Sequence, residues 1–347
     1  MNPLGLNGIE FVEYASPDPS YLHKIFEEFG FSRTLKHSQK NISLYQQNAI
    51  NFMINDEDGS FGKKFAGLHG HSISSMGWRV KDANVALEKA VSAGAKACEE
   101  GDFKGSGGNL IPAIYGIGDS IIYFIEEDSH ENVYKNLSFT AHPSPTKVAD
   151  KGMILIDHLT NNVYKGELSK WADFYKNIFG FTEVRYFDIR GEKTGLRSFA
   201  LKSPCGLFCI PINEGTERKS QINEYLDEYK GPGVQHLAFL THDIVTTIND
   251  LKTTSIDTLD IDDEYYDTVF ERVPGVTEDH DKLKELQLLV DGDDRGYLLQ
   301  IFTKNLFGPI FIEIIQRKNH FSFGEGNFGA LFRSIEKDQQ KRGYFEE

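Results

Sequence analysis

The fold is decided by a stretch that occurs twice in outline. Residues 8–34 have the sequence GIEFVEYASPDPSYLHKIFEEFGFSRT, and residues 155–184 have the sequence LIDHLTNNVYKGELSKWADFYKNIFGFTEV. Each begins with the pattern of a short apolar strand, passes through a polar turn and continues with the pattern of an amphipathic helix. Each helix pattern ends at a Phe-Gly-Phe corner, where glycine suits the left-handed end of a helix. Such internal repetition indicates a fold built from similar units.

A second pair of segments extends the repeat. Residues 75–96 (SMGWRVKDANVALEKAVSAGAK) and 234–256 (VQHLAFLTHDIVTTINDLKTTSI) each predict a strand followed by a helix. Asp82 and Asp243 stand where a helix N-cap is expected. A last strand is predicted in GDSIIYFIEE, residues 118–127, and in GPIFIEIIQ, residues 308–316.

The sequence therefore predicts an α+β protein of four βαβββ modules, two in each half. The polar, proline-containing stretch 136–152 divides the halves, so we expect one domain over residues 1–140 and a second over residues 150–347. The apolar residues Phe328, Leu331, Phe332 and Ile335 follow helical spacing. They predict a C-terminal helix over about residues 327–342.

Composition narrows the class of protein. The 347-residue chain is 39% hydrophobic and 26% charged, as is usual for a globular protein. Its net charge of −15 argues against nucleic acid or an anionic membrane as a partner. No apolar run approaches the roughly 18 residues of a membrane span, and the N-terminus lacks the pattern of a secretory signal. Three cysteines do not suggest a disulfide framework, so we expect a reducing, cytoplasmic location.

Three residues could hold a metal ion. His158 and His236 lie in the first predicted strands of the third and fourth modules, and Glu313 lies in the last strand of the fourth. Two histidines and one carboxylate with open positions are typical of non-haem Fe(II) oxygenases. The alternative is that both histidines are hydrogen-bonded core residues and that Glu313 is solvated.

The repeat allows the same positions to be compared in the first half. Overlaying the modules places Phe11 at the position of His158, Ser75 at that of His236 and Tyr123 at that of Glu313. We therefore expect the first domain to lack metal ligands and the second to carry the catalytic site.

Five segments resemble 4-hydroxyphenylpyruvate dioxygenases. They are DHLTNNV (157–163), PINEGTERKSQINEYL (211–226), GPGVQHLAF (231–239), LLQIFTKNLFGPIFIEIIQRKN (298–319) and FGEGNFGALFRSIE (323–336). The resemblance covers the whole chain in plan and is strongest over residues 153–340. It implies the vicinal-oxygen-chelate fold of glyoxalases, bleomycin-resistance proteins and extradiol dioxygenases, in which the modules form two open barrels.

The resemblance also implies a set of site residues. It implies one Fe(II) per chain, held by His158, His236 and Glu313, with the C-terminal helix acting as a lid. The catalytic residues carried over are Gln221, Gln235 and Gln300, and the substrate-binding residues are Ser198, Asn213, Phe302, Phe323 and Phe328.

The implied reaction consumes 4-hydroxyphenylpyruvate and O2 in tyrosine catabolism. Oxidative decarboxylation, ring hydroxylation and side-chain migration would give homogentisate and CO2. The enzyme is expected to be a homo-oligomer, a dimer or a tetramer. Three alternatives share the module plan: a 4-hydroxymandelate synthase acting on the same substrate, an extradiol ring-cleaving dioxygenase, and a non-enzymatic protein that binds aromatic molecules.

Overall fold

The computed structural model describes residues 1–105, 107–191 and 193–345, and these residues form two sheets of eight strands each. The first sheet contains β1 (Leu6–Ala15), β2 (Ser32–His37), β3 (Ile42–Gln47), β4 (Ile50–Asn55), β5 (Ser72–Val80), β6 (Ala113–Tyr115), β7 (Ile121–Glu126) and β8 (Phe139–Ala141). The second contains β9 (Met153–Val163), β10 (Thr182–Arg190), β11 (Gly195–Lys202), β12 (Cys209–Gly215), β13 (Gly233–Thr241), β14 (Leu289–Asp293), β15 (Gly296–Phe302) and β16 (Phe311–Lys318).

Helices connect the strands. They are α1 (Pro19–Glu28), α2 (Phe61–His69), α3 (Ala83–Ser92), α4 (His130–Asn136), α5 (Leu168–Phe174), α6 (Gln221–Tyr229), α7 (Ile244–Leu251), α8 (Tyr266–Arg272), α9 (His280–Glu285) and α10 (Phe328–Lys341). A π-helical turn over Tyr175–Phe179 extends α5, and short 3-10 turns cover Ile117–Asp119, Asp263–Tyr265 and Glu325–Asn327. None of the helices in the described residues combines the length and apolar character needed to cross a bilayer.

The strand order confirms the predicted plan of four modules. Three modules are β1-α1-β2-β3-β4, β9-α5-β10-β11-β12 and β13-α7-β14-β15-β16. The remaining module is β5-α3-β6-β7, and the short strand β8 that follows it pairs with β2 at the far edge of the sheet. Neighbouring strands follow the order β6-β7-β5-β1-β4-β3-β2-β8 in one sheet and β10-β11-β12-β9-β13-β16-β15-β14 in the other. In each half the first strands of the two modules pair antiparallel at the centre of the sheet.

Local sequence explains where the helices begin and end. The side chains of Asp82 and Asp243 accept hydrogen bonds from backbone N–H groups in the first turns of α3 and α7, which confirms both predicted N-caps. Gly30 (φ 89°) and Gly180 (φ 80°) take the left-handed conformation at the two Phe-Gly-Phe corners. A side chain at either position would be strained, so glycine allows the chain to leave the helix and start the next strand.

Aromatic side chains from both halves form a shared core. Trp78 of β5 is fully buried, and its ring centroid lies 4.8 Å from that of Phe179 and 5.4 Å from that of Phe208. Phe31 similarly contacts Phe239 of β13 at 6.1 Å. Burial of these rings therefore holds the two sheets against each other.

We expect Trp78→Ala to lower the free energy of unfolding by about 3–5 kcal/mol, because it leaves a cavity where both halves meet. Chemical denaturation measures the change. The control is Leu68→Ala, since Leu68 is 64% exposed and its truncation should change stability by less than about 0.5 kcal/mol. Equal effects of the two substitutions would contradict the proposed importance of the shared core.

Within the part of the chain that the structure describes, the first half also contains a buried carboxylate that pairs with no basic side chain. Glu13 of β1 accepts hydrogen bonds from the hydroxyls of Ser74 and Ser75 and from the side-chain amide of Asn55, 2.7 Å away. The same amide nitrogen donates to Asp102 at 2.9 Å. Burial, and then the negative charge of Asp102, raise the pKa of Glu13 to about 7. The fold therefore favours the protonated acid.

This raised pKa predicts a pH-dependent stability. Below about pH 4.5 Glu13 is protonated in both the folded and the unfolded chain, so its contribution is fully present. It is lost as the pH rises through about 7, and the shift corresponds to roughly 3 kcal/mol.

We subtract the free energy of unfolding of Glu13→Gln from that of the unaltered chain. We expect this difference to fall by roughly 3 kcal/mol between pH 4.5 and 8. Denaturation of both proteins across this range measures the difference. Replacement of the exposed Glu99 by Gln is the control and should give a flat difference. A flat difference for Glu13→Gln itself would show that the carboxylate is not held in its protonated form.

Candidate metal centre and aromatic pocket

The three residues predicted to bind a metal come together inside the second sheet. His158, His236 and Glu313 lie on β9, β13 and β16, and each is at most 9% exposed. His158 Nε2 lies 3.1 Å and His236 Nε2 lies 3.5 Å from Glu313 Oε2. One ligand atom from each residue lies within 4.8 Å of the others, close enough to share a single ion. The alternative of a solvated Glu313 is wrong.

Strand register explains how the three side chains meet. Ala238 of β13 lies opposite His158 on one side and opposite Glu313 on the other. His236 comes two residues earlier on the central strand and so points to the same face. Ala238 is fully buried, and its single methyl group leaves room for the longer side chains to converge above it.

The first sheet has the same register with different residues. Gly77 of β5 lies opposite Phe11 of β1 and opposite Tyr123 of β7. Ser75 comes two residues before Gly77, as His236 comes before Ala238. The ring of Phe103 packs edge-on against Phe11 at 5.4 Å and against Tyr123 at 5.2 Å. Aromatic rings therefore occupy the region where the second sheet gathers its polar trio.

Two glutamines contact the trio through hydrogen bonds. Gln300 Nε2 donates to Glu313 Oε1 over 3.2 Å, and Gln300 Oε1 accepts from Asn327 Nδ2 over 3.1 Å. Gln300, predicted among the residues that act in the pocket, thus lies behind Glu313 and fixes its outer oxygen. Gln235 Oε1 lies 3.1 Å from His236 Nδ1, where it can hold the histidine ring in one orientation.

The electrostatics of the trio favour a cation. Burial would raise the pKa of Glu313, but the two histidines outweigh it and lower this pKa to about 2. Burial likewise disfavours a charged His158, yet the carboxylates of Glu313 and Asp157 raise its pKa to about 9. Burial lowers the pKa of His236. The site thus keeps positive charge beside a buried carboxylate, the role that a divalent ion would take.

An apolar cavity of about 620 Å³, including its open mouth, lies above the trio. The predicted residues that line it are Ser198, Asn213, Gln221, Gln235, Phe302, Phe323 and Phe328. Ser198 and Asn213 lie opposite each other on β11 and β12, so they face the cavity together. The neutral polar groups are thus set into a mainly aromatic wall, the usual composition of a small-molecule site.

Several lining residues were not predicted as site residues. Phe187 and Ile189 lie two residues apart on β10, and their side chains face the cavity while the residues next to them face solvent. This alternation in the sequence could have identified them as cavity residues. Leu331 and Ile335 belong to the apolar face of α10, which was predicted as a helix face but not assigned to the site. The ring of Phe328 packs edge-on against Phe187 at 5.2 Å, so α10 closes one side of the cavity.

Comparison with known proteins gives the family. Residues 1–140 match the family model for the N-terminal part of hydroxyphenylpyruvate dioxygenase, and residues 155–283 match the glyoxalase/bleomycin resistance protein/dioxygenase superfamily. The chain is 44% identical over 349 residues to the 4-hydroxyphenylpyruvate dioxygenase of Legionella pneumophila (strain Philadelphia 1). The alignment covers 100% of this chain and 98% of that protein. The chain belongs to the 4-hydroxyphenylpyruvate dioxygenase family. It is therefore an enzyme of a non-haem iron dioxygenase family, as its sequence predicts.

Two further similarities bear on this dioxygenase family member. Protein MelA of Shewanella colwelliana is 60% identical over 345 residues, which are 99% of this chain and 98% of that protein. The structure of a 4-hydroxymandelate synthase mutant from Streptomyces coelicolor aligns with a TM-score of 0.81 and 23% identity, over 96% of this chain and 99% of that chain. At this identity the likeness concerns the fold alone, and it agrees with the predicted vicinal-oxygen-chelate fold.

We expect His158→Ala, His236→Ala and Glu313→Ala each to abolish measurable binding of a divalent metal ion, since each removes one of three protein ligands. Metal content after dialysis and titration calorimetry measure the loss. The matched control is His242→Ala, because His242 is exposed beyond the end of β13. Full metal occupancy in any variant of the trio would contradict the assignment.

Proposed function

We propose that this chain is a 4-hydroxyphenylpyruvate dioxygenase. It converts 4-hydroxyphenylpyruvate and O2 into homogentisate and CO2 in tyrosine catabolism, with one Fe(II) held by His158, His236 and Glu313. The observation that carries the proposal is the position of this trio at the base of a cavity with aromatic walls.

The donor set fits Fe(II). Two imidazole nitrogens and one carboxylate leave coordination positions open, the pattern of non-haem Fe(II) oxygenases. Both histidines present Nε2 towards Glu313, while their Nδ1 atoms have partners outside the trio. When bound, Fe(II) would supply a centre that chelates the 2-oxo acid and activates O2. Its charge would also attract an anionic substrate to a protein of net charge −15.

The residues of the cavity would orient the substrate. Phe302 and Phe328 present aromatic surface from β15 and the start of α10, and such rings favour stacked or edge-on contact with a phenyl ring. Ser198, Asn213 and Gln221 offer neutral donors and acceptors that can hold a phenol without a competing charge. We therefore place the ring of the substrate between the phenylalanines, with its hydroxyl towards the amides.

Water exclusion would be the task of α10. Phe332 is buried, and with Leu331 and Ile335 it lines the cavity from the same helix. This apolar face would keep bulk water from the reacting atoms, since closing an active site protects reactive intermediates. The helix would act as a lid that admits the substrate and then closes.

We also propose a cytoplasmic location and a homo-oligomeric assembly, a dimer or a tetramer. Cys98, Cys205 and Cys209 are free thiols, which suits a reducing compartment. Cell fractionation and sedimentation of the purified chain test the two points.

The decisive experiment is a product assay. Purified chain is loaded with Fe(II) without air, 4-hydroxyphenylpyruvate is added, and air is then admitted. We expect homogentisate and CO2 in equal amounts to the O2 consumed, because both oxygen atoms enter the products. The matched control is Glu313→Ala, which should give neither product.

Other outcomes identify the alternatives. Formation of 4-hydroxymandelate without homogentisate would show that the oxidant attacks the side chain, as in 4-hydroxymandelate synthase. A ring-cleaved product would indicate an extradiol dioxygenase. Binding of the substrate without O2 consumption, unaffected by chelators, would indicate a non-enzymatic binding protein.

A further inference from the structure

A buried ion pair lies directly behind the metal centre. Arg317, near the end of β16, donates from Nε and Nη2 to the two carboxylate oxygens of Asp157, both over 2.8 Å. The Arg317 side chain is 11% exposed and that of Asp157 is 15% exposed. Paired hydrogen bonds of this kind hold both groups in one geometry. The proposed function leaves this pair without a role.

A β-bulge brings the pair to the metal ligand. On β9, His158 lies opposite Ala238, but the next paired residue is Ile156, opposite Phe239. Asp157 is therefore the extra residue of the strand. Neighbouring residues of a regular strand point to opposite faces, whereas a bulge can redirect one of them. Here the carboxylate of Asp157 lies 2.8 Å from Nδ1 of the adjacent His158.

The remaining donor group of Arg317 reaches the wall of the cavity. Nη1 donates to the backbone carbonyls of His320 and Ser322 over 3.1 and 2.6 Å. The next residue is Phe323, whose ring lies 5.6 Å from the ring of His158 at an angle of 73°. Arg317 thus anchors two groups that lie against His158: the carboxylate at Nδ1 directly, and the ring of Phe323 through the carbonyls that precede it.

We infer that Arg317 is a positioning residue that acts on His158 through Asp157 and on the cavity wall through the carbonyls of residues 320 and 322. It sets the orientation of the imidazole that offers Nε2 to the metal, and it holds Phe323 against that imidazole. The contact of Asp157 with Nδ1 also turns the ring so that Nε2 faces the position of the metal. Partners of this kind commonly change metal affinity by about 10–100-fold.

The inference rests on the proposed metal centre, so its test measures metal binding as well as activity. Co(II) serves as the probe, because its visible spectrum reports the ligand geometry. The variants are Asp157→Asn, which offers Arg317 an amide in place of one carboxylate oxygen, and Arg317→Lys, which keeps the charge and loses the planar fork. We expect each to weaken Co(II) binding by about 10–100-fold and to change the spectrum.

Two further results separate positioning from general stability. Arg317 acts on His158 through Asp157, so the two substitutions should not add. The double variant Asp157→Asn/Arg317→Lys should bind Co(II) no more weakly than whichever single variant has the lower affinity. Only Arg317→Lys should also raise KM for 4-hydroxyphenylpyruvate in the Fe(II) enzyme, since only it releases the carbonyls that hold the wall. If Arg317→Lys does not fold, as shown by thermal melting, Asp157→Glu carries the test of metal affinity with the charge retained.

The matched control is the pair Asp293 and Arg295, which is exposed in the β14–β15 hairpin of the same sheet and joined over 2.7 Å. Asp293→Asn and Arg295→Lys should leave Co(II) binding within twofold of the unaltered chain. Unchanged affinity and spectrum in Asp157→Asn and Arg317→Lys would overturn the inference, as would losses that multiply in the double variant. Failure of the unaltered chain to bind Co(II) would instead overturn the metal centre itself.

Discussion

The second half of the protein depends on the cost of burying the carboxylate of Glu313. An ionised carboxylate in a dry interior costs several kcal/mol unless charge and hydrogen bonds compensate it. Here two histidines and the amide of Gln300 surround it, and its pKa is lowered to about 2 in spite of burial. This arrangement requires three neighbouring strands to present their side chains to one concave point. The curvature of the sheet and the small side chain of Ala238 satisfy that requirement.

The two sheets share the same strand register at this point, but different side chains occupy the equivalent positions. In the first sheet the equivalent positions hold Phe11 and Tyr123 around Gly77, and apolar packing replaces charge. An ideal Cβ on Gly77 would lie 2.4 Å from the ring of Phe11, so glycine is needed where the rings fill the space. The buried carboxylate of this half, Glu13, has hydroxyl and amide donors, and its pKa rises to about 7. Glu13 and Glu313 are both buried. Their pKa values therefore differ because of the groups that surround them and not because of depth of burial.

Sequence patterns predicted the features that repeat. The equal positions of His158 and His236 in their modules, with Glu313 on a last strand, were enough to predict the trio, because strand pairing carries equal positions to the same face. Gln300 was expected in the site only through the family resemblance, and the patterns could not predict its contact with Glu313, since that contact depends on the pairing of β15 with β16. The contact of Asp157 with His158 could not be predicted from the patterns either. Alternation places Asp157 on the face opposite His158, and only the bulge in β9 brings the two side chains together.

The same bulge would allow Arg317 to couple the proposed metal centre to the cavity wall. A guanidinium group has donors along two edges, so one residue can hold a carboxylate and two carbonyls at once. In a regular strand the side chain of Asp157 would point to the face opposite His158. Arg317 would then contact only the carbonyls of the segment that carries Phe323. With the bulge, the fork of Arg317 connects β9, which carries His158, to the segment after β16, which carries Phe323. Under the proposed role of Arg317, a shift of that segment would strain either the ion pair or the imidazole of His158, and so would couple the geometry of the proposed metal site to closure of the cavity.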